Sequence, residues 1–190
     1  MYAIPLRNRK IVEYAWWDNV FSDEELDKLQ EKALSSSLKG VVDKATVDTS
    51  IRRSTVEWLT PEEKWSWVFE KLARVAVKVN DQYYDFNLKG FENSIQLANY
   101  KAIDSGTYGW HQDFGGLEGA RKLSMVLQLS DPTKYEGGEL QLLTQKNSTS
   151  IPKKRGLITI FPSWTLHQVT PVTKGVRQSL VAWVLGPSFR

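Results

Sequence analysis

The sequence contains no cysteine. That absence excludes disulfides, thiolate nucleophiles, iron–sulfur clusters and cysteine-ligated zinc together. Histidine is nearly absent too: His111 and His167 are the only two. No apolar run is long enough to span a bilayer, and the N-terminus lacks the apolar core of a secretory signal. A cytoplasmic protein without a membrane partner is the expectation. Charge bias is small, at +3 with a pI near 9.0. The basic residues are scattered apart from Lys153-Lys-Arg155, which reads as a solvated loop rather than a nucleic-acid site.

What is present describes a globular chain. Hydrophobic residues make up 41% of the 190, and eight tryptophans suit a packed interior or an aromatic-lined cleft. The length fits one domain, 1–190, with residues 1–90 as helical support and first strands and 91–190 as a β core.

Residues 10–17 have strand character. Ser22-Asp-Glu-Glu25 reads as a capping box that starts a helix to about Leu34. Residues 35–50 are polar and read as a loop, with 35–55 a candidate substrate lid. Residues 51–59 alternate as a strand. Thr60-Pro-Glu-Glu63 then carries a second helix-start signal, with an apolar stripe from Trp65 through Val68, Leu72, Val75, Ala76 and Val79. From residue 92 short strand-like runs alternate with turns: 94–101, 123–129, 139–143, 157–161, 167–172 and 178–185. Helices followed by a run of strands predict an α+β, mainly β fold, with helices packed on a β-sandwich or jelly roll.

The stretch Tyr108-Gly-Trp-His111-Gln-Asp113 carries the chemistry. In an extended strand, residues two apart share one face, about 7 Å apart along the backbone. Two groups do not complete a metal site, and His167 is the one remaining imidazole. A lone His-x-Asp recurs by chance, and a lone strand histidine is commonly a hydrogen-bonded core residue. The joint pattern weighs more, because it uses every histidine in the chain. Two imidazoles and one carboxylate with open positions are the ligand set of non-haem iron(II) oxygenases; zinc takes the same ligands. Arg177 shares a strand face with Ser179, Val181 and Trp183. Its planar guanidinium suits the far carboxylate of a metal-chelating α-keto acid.

At these residues the chain resembles the 2-oxoglutarate- and iron(II)-dependent dioxygenases of the prolyl 4-hydroxylase type, including small bacterial and phage members. The matching string runs from Tyr100 through His111-Gln-Asp113, Arg121-Lys-Leu-Ser124, Leu129-Ser-Asp-Pro and Tyr135-Glu-Gly-Gly-Glu-Leu140 to His167 and Gly175-Val-Arg177. It covers about the last hundred residues. The resemblance implies a double-stranded β-helix core. It implies His111, Asp113 and His167 as iron ligands, and Arg177 with Tyr100 at the 2-oxoglutarate. Gln128 stands where some members carry a second tyrosine for the same carboxylate. Arg121 and Trp183 match positions near a peptide-binding mouth and the metal.

The implied activity is hydroxylation of an unactivated C–H bond, foremost in a peptidyl proline, with dioxygen consumed and succinate and carbon dioxide released. Ascorbate is the implied reductant, and a proline-containing peptide or protein the implied partner. A free amino acid or another side chain is the alternative substrate. A non-catalytic binding module on the same barrel is a third reading. A zinc hydrolase would need a general base, for which Glu118 is the nominee.

Overall fold

In the computed structural model, residues 12–35, 38–40, 48–115, 120–144 and 147–188 are described. The N-terminal part comprises β1 (Ala15–Trp17), α1 (Asp23–Leu34), β2 (Leu38–Lys39), β3 (Arg52–Arg53), β4 (Thr55–Leu59) and α2 (Ser66–Val79). Strands then dominate: β5 (Gly90–Phe91), β6 (Ile95–Lys101), β7 (Thr107–His111), β8 (Ala120–Gln128), β9 (Tyr135–Gly137), β10 (Leu140–Thr144), β11 (Asn147–Ser150), β12 (Ile158–Pro162), β13 (His167–Val169) and β14 (Val172–Gly186).

The strands form two antiparallel sheets. The larger runs β1-β12-β8-β14-β6-β4-β2, with β5 and β9 also paired to β14; the smaller runs β11-β10-β13-β7-β3. This is the expected mainly β architecture, a double-stranded β-helix backed by helices. Alternation along β14 divides its two faces. Leu180, Ala182 and Val184 join the core that α1 and α2 cover with Leu26, Leu29, Val68, Leu72 and Val79. Arg177, Ser179, Val181 and Trp183 take the opposite face, between the sheets. Beyond them Val126, Leu140, Leu142 and Phe161 close the far part of the barrel.

The first helix begins as its sequence dictates. The Ser22 hydroxyl accepts from the Glu25 N–H at 3.3 Å, and the Glu25 carboxylate accepts from the Ser22 N–H at 2.8 Å. Glu25 also pairs with Lys71 at 2.6 Å, which ties α1 to α2.

The second helix starts later than the Thr60 signal predicts, at Ser66. The Thr60 hydroxyl donates to the Glu62 carboxylate at 2.8 Å, so it does not cap a backbone N–H. Residues 62–66 turn through bonds from the Trp65 and Ser66 N–H groups to the Glu62 carbonyl. The run 51–59 is also two strands, not one. It breaks at Ser54, with β3 pairing β7 in the smaller sheet and β4 pairing β6 in the larger. The strand read over 10–17 is confined to Ala15–Trp17 among the described residues. Within the supposed loop at 35–50, Leu38 and Lys39 pair with β4. Residues 36–37 and 41–47 lie outside the described residues, and most of the candidate lid with them.

The basic tract has a structural use. Arg155 donates to Asp23 at 3.1 Å, Asp27 at 2.5 Å and Gln30 at 2.9 Å on α1, and to the Leu129 carbonyl at 2.9 Å. Lys154 pairs with Asp18 at 2.6 Å. Among the described residues no helix is long and apolar enough to cross a membrane.

Candidate metal centre

Strand register brings the two histidines together. His111 ends β7, His167 opens β13, and the two face each other as a cross-strand pair. Their ring centroids are 4.1 Å apart. Asp113 is not on the strand, as the two-residue spacing suggests. The strand stops at His111, and the Asp113 N–H bonds instead to the Ser163 carbonyl at 2.9 Å. That anchor carries the carboxylate to the same point. His111 Nε2 lies 3.7 Å from Asp113 Oδ1, and His167 Nε2 lies 3.5 Å from Asp113 Oδ2. One ligand atom from each residue falls within 4.8 Å of the others, and this is the one such cluster of three among the described residues.

The hydrogen bonds behind these groups fix their chemistry. His111 Nδ1 is 2.7 Å from the Gly109 carbonyl, and His167 Nδ1 is 2.9 Å from the Thr165 carbonyl. A carbonyl only accepts, so each Nδ1 holds the proton and each Nε2 turns a lone pair to the shared point. Ser124 donates to Asp113 Oδ2 at 2.7 Å, leaving Oδ1 as the freer ligand oxygen. Tyr108 stacks on the His111 ring at 3.5 Å between centroids, and the Arg52 guanidinium lies 4.5 Å over Tyr108. Donor set, tautomers and spacing fit one divalent ion.

Electrostatics keep the ligands in their metal-ready forms. Burial pushes His111 down to about 4, and His167 pushes the same way against the pull of Asp113. Burial works to raise Asp113, but the two imidazoles and the Ser124 hydroxyl hold it below the ordinary carboxylate range. The Trp183 indole, whose N–H makes no hydrogen bond of ordinary geometry, also favours the charged carboxylate.

A stability prediction follows from the sign of the His111 shift. Unfolded, His111 takes a proton near its usual value of about 6.5, whereas folded it resists until about 4. The penalty is absent above the unfolded value and grows as pH falls through that window. At pH 5 the metal-free protein should lose up to about 2 kcal/mol relative to pH 7 from this group. Urea unfolding of wild type and His111→Gln at both pH values checks it. An equal acid loss in both proteins would contradict the shift.

A second polar cluster lies deeper between the sheets. Arg177 is 1% exposed and pairs across strands with Tyr100, whose ring is 5.2 Å from the guanidinium carbon. It donates to Ser179 Oγ at 3.1 Å and Gln128 Oε1 at 3.0 Å, both neutral. Burial opposes its charge, while Tyr100 and Tyr135 support it. Arg177 Nε, Gln128 Nε2 and the Tyr135 hydroxyl make no hydrogen bond of ordinary geometry among the described residues. A buried cation held by neutral groups and surrounded by such donors is costly unless an anion completes it. The cluster therefore fits a ligand carboxylate.

Trp183 and Arg121 are brought together at the other end. Arg121 makes a two-point pair with Glu92, at 2.9 and 2.8 Å, and lies 3.9 Å over the Trp183 ring. The residue expected at a peptide mouth is thus held as a strut behind an aromatic wall. Glu118 lies outside the described residues.

Sequence reasoning quoted Ser124, Tyr108 and Tyr135 only inside longer strings and gave them no role, and it did not name Arg52 or Glu92. Ser124 had a signal, since it alternates with Gln128 on β8. The others depend on long-range pairing that local pattern does not encode.

Comparison with known proteins agrees with this geometry. Residues 95–185 match the sequence profile of the 2OG-Fe(II) oxygenase superfamily. A PKHD-type hydroxylase of Prochlorococcus marinus is 42% identical over 85 residues, 44% of this chain and 38% of that protein. The chain thus spans about two fifths of that curated relative's length. Among solved structures, a Pseudomonas putida prolyl-4-hydroxylase superposes with a TM-score of 0.72 at 19% identity, covering 90% of this chain and 91% of that one. A Trichoplax adhaerens prolyl hydroxylase, solved with a hypoxia inducible factor peptide fragment, gives 0.77 at 15% identity, covering 91% and 83%. These last two establish likeness of fold. Residues 95–185, which hold the His111–Asp113–His167 cluster, are thus the part of the chain that resembles the 2OG-Fe(II) oxygenase superfamily.

Proposed function

We propose that this chain is an Fe(II)- and 2-oxoglutarate-dependent dioxygenase that hydroxylates an unactivated C–H bond, foremost in a peptidyl proline. Residues 1–90, as helical support and first strands, and residues 91–190, as the double-stranded β-helix core, make a single catalytic domain. The observation that carries the reading is the convergence of two Nε2 lone pairs and one Asp113 oxygen at a single point.

In this reading His111, Asp113 and His167 hold the iron. Two neutral imidazoles and one carboxylate leave a dication with net positive charge, which suits an anionic chelating cosubstrate. Arg177, Tyr100 and Gln128 receive the far carboxylate of 2-oxoglutarate. When bound, the iron with 2-oxoglutarate and dioxygen supplies the oxidising power for hydroxylation, with succinate and carbon dioxide as products. The chain's own work is to orient and to exclude water. Trp183, steadied by Arg121, walls the site beside Asp113, and Tyr108 backs His111. No protein acid or base is needed at the reacting carbon. Ascorbate fits as the reductant that keeps the iron ferrous.

A peptide substrate is favoured by the site's surroundings. Trp110 and Phe114, flanking the ligands in sequence, are 41% and 57% exposed. Exposed aromatics beside a catalytic opening suit a macromolecular partner. The Trichoplax adhaerens neighbour holds a peptide fragment. A free amino acid or another side chain is the second reading, favoured by Arg121 being occupied with Glu92.

The test is succinate formation from 2-oxoglutarate with iron present, followed by mass spectrometry of proline-containing peptides. A 16-Da gain on proline supports the first reading. Succinate without that gain, but with a hydroxylated amino acid, supports the second. No succinate with any candidate substrate would overturn the catalytic reading.

A further inference from the structure

We infer that the Tyr135 hydroxyl is a hydrogen-bond donor to the far carboxylate of the cosubstrate, supplying from β9 the phenol that position 128 lacks. The inference rests on the dioxygenase reading and adds a positioning residue to it.

Tyr135 is 3% exposed; its hydroxyl is fully buried beside the Arg177 guanidinium and makes no hydrogen bond of ordinary geometry among the described residues. Its place is set by pairing of β9 with β14, where Tyr135 sits opposite Gly175. Gly175 has φ +70, and a Cβ there would run into the Lys134 carbonyl. Only glycine lets the two strands come this close, two residues before Arg177. On the outer side Lys153 Nζ lies 4.6 Å from the Tyr135 ring centroid, a cation that strengthens the phenol as a donor. Burial pushes the phenol above its ordinary value against the pull of Arg177, so it keeps its proton.

The balance of donors and acceptors then decides the role. Gln128 Oε1 and Ser179 Oγ already accept from the two Arg177 Nη groups. The atoms there without a hydrogen bond of ordinary geometry are Arg177 Nε and Gln128 Nε2, which only donate, and the Tyr135 hydroxyl, which can donate as well as accept. No acceptor-only atom is left among them. The complement of such a set is an acceptor-only group with several lone pairs, and a carboxylate is that group. Gln128 is engaged through its oxygen, so Tyr135 is the remaining phenol beside the guanidinium.

The experiment is calorimetric titration of the manganese(II)-loaded full chain and its Tyr135→Phe variant with two ligands. One is 2-oxoglutarate. The other is 2-oxobutyrate, which keeps the chelating end and lacks the far carboxylate. Tyr135→Phe should weaken 2-oxoglutarate about tenfold and 2-oxobutyrate less than about twofold. The ligand-free melting temperature should fall by no more than a degree or so, because the hydroxyl makes no hydrogen bond of ordinary geometry in the protein. Unchanged 2-oxoglutarate affinity, equal losses for both ligands, or a fall of several degrees in melting temperature would each overturn the inference. Wild type binding neither ligand would instead strike the cosubstrate reading itself, and the inference with it.

Discussion

His111→Ala and Asp113→Ala are each expected to abolish succinate formation and to empty the chain of metal. The reason is geometric. Three protein atoms meet at one point, and removing one leaves two ligands and a gap that water fills. Loss of a partner behind a ligand already costs about 10–100-fold in metal affinity, so loss of a ligand should cost at least about 100-fold. Asp113→Ala adds an electrostatic penalty, since it removes the one negative charge in the cluster. It also strands the Ser124 hydroxyl that donates to it at 2.7 Å. Metal content after anaerobic loading and desalting is the direct readout, with succinate as the second. Metal retained at one equivalent in either variant, with turnover intact, would mean that the ion is held elsewhere.

Arg177→Ala is expected to raise the KM for 2-oxoglutarate about 100-fold or more while leaving metal content unchanged. Removing one partner of a buried ion pair costs about 3–5 kcal/mol, and each 1.4 kcal/mol is about tenfold in affinity. The guanidinium is 1% exposed, so water cannot replace it cheaply. Its removal also leaves Gln128 Oε1 and Ser179 Oγ without their donor. Arg177→Lys should recover only part of the loss, because an ammonium restores the charge without the planar fork. A KM within about twofold of wild type would place the far carboxylate away from this cluster.

These two effects separate parts of the site that the sequence made legible for different reasons. The ligands stood out through scarcity. With no cysteine and two histidines, few metal sites could be written at all. The strands from residue 92 onward stood out as short apolar runs between turn signals, and β6, β8, β12 and β14 bury one face in the core that the helices cover. What local pattern does not contain is register. Nothing in the sequence says that His111 meets His167 across a strand pair, or that Asp113 is fixed by the Ser163 carbonyl rather than by strand period. The same limit applies to Arg121. Its partner Glu92 is 29 residues away and meets it only once the sheet has formed.

The helix start at Thr60 failed for another reason. Cap chemistry is a competition, and the Thr60 hydroxyl went to the Glu62 side chain. The break at Ser54 was illegible because it is set by pairing partners distant in sequence, β7 for β3 and β6 for β4. Tyr135 was visible only as part of the family string. Its role emerges from the close approach that Gly175 permits and from a hydroxyl without a hydrogen bond of ordinary geometry, neither of which is a property of local sequence.

The most direct measurement is anomalous diffraction from crystals grown with manganese(II) and 2-oxoglutarate. One peak per chain is predicted, about 2.0–2.3 Å from the Nε2 atoms of His111 and His167 and from one oxygen of Asp113. A peak outside that triangle, or a metal bound by only one of the two imidazoles, would contradict the account.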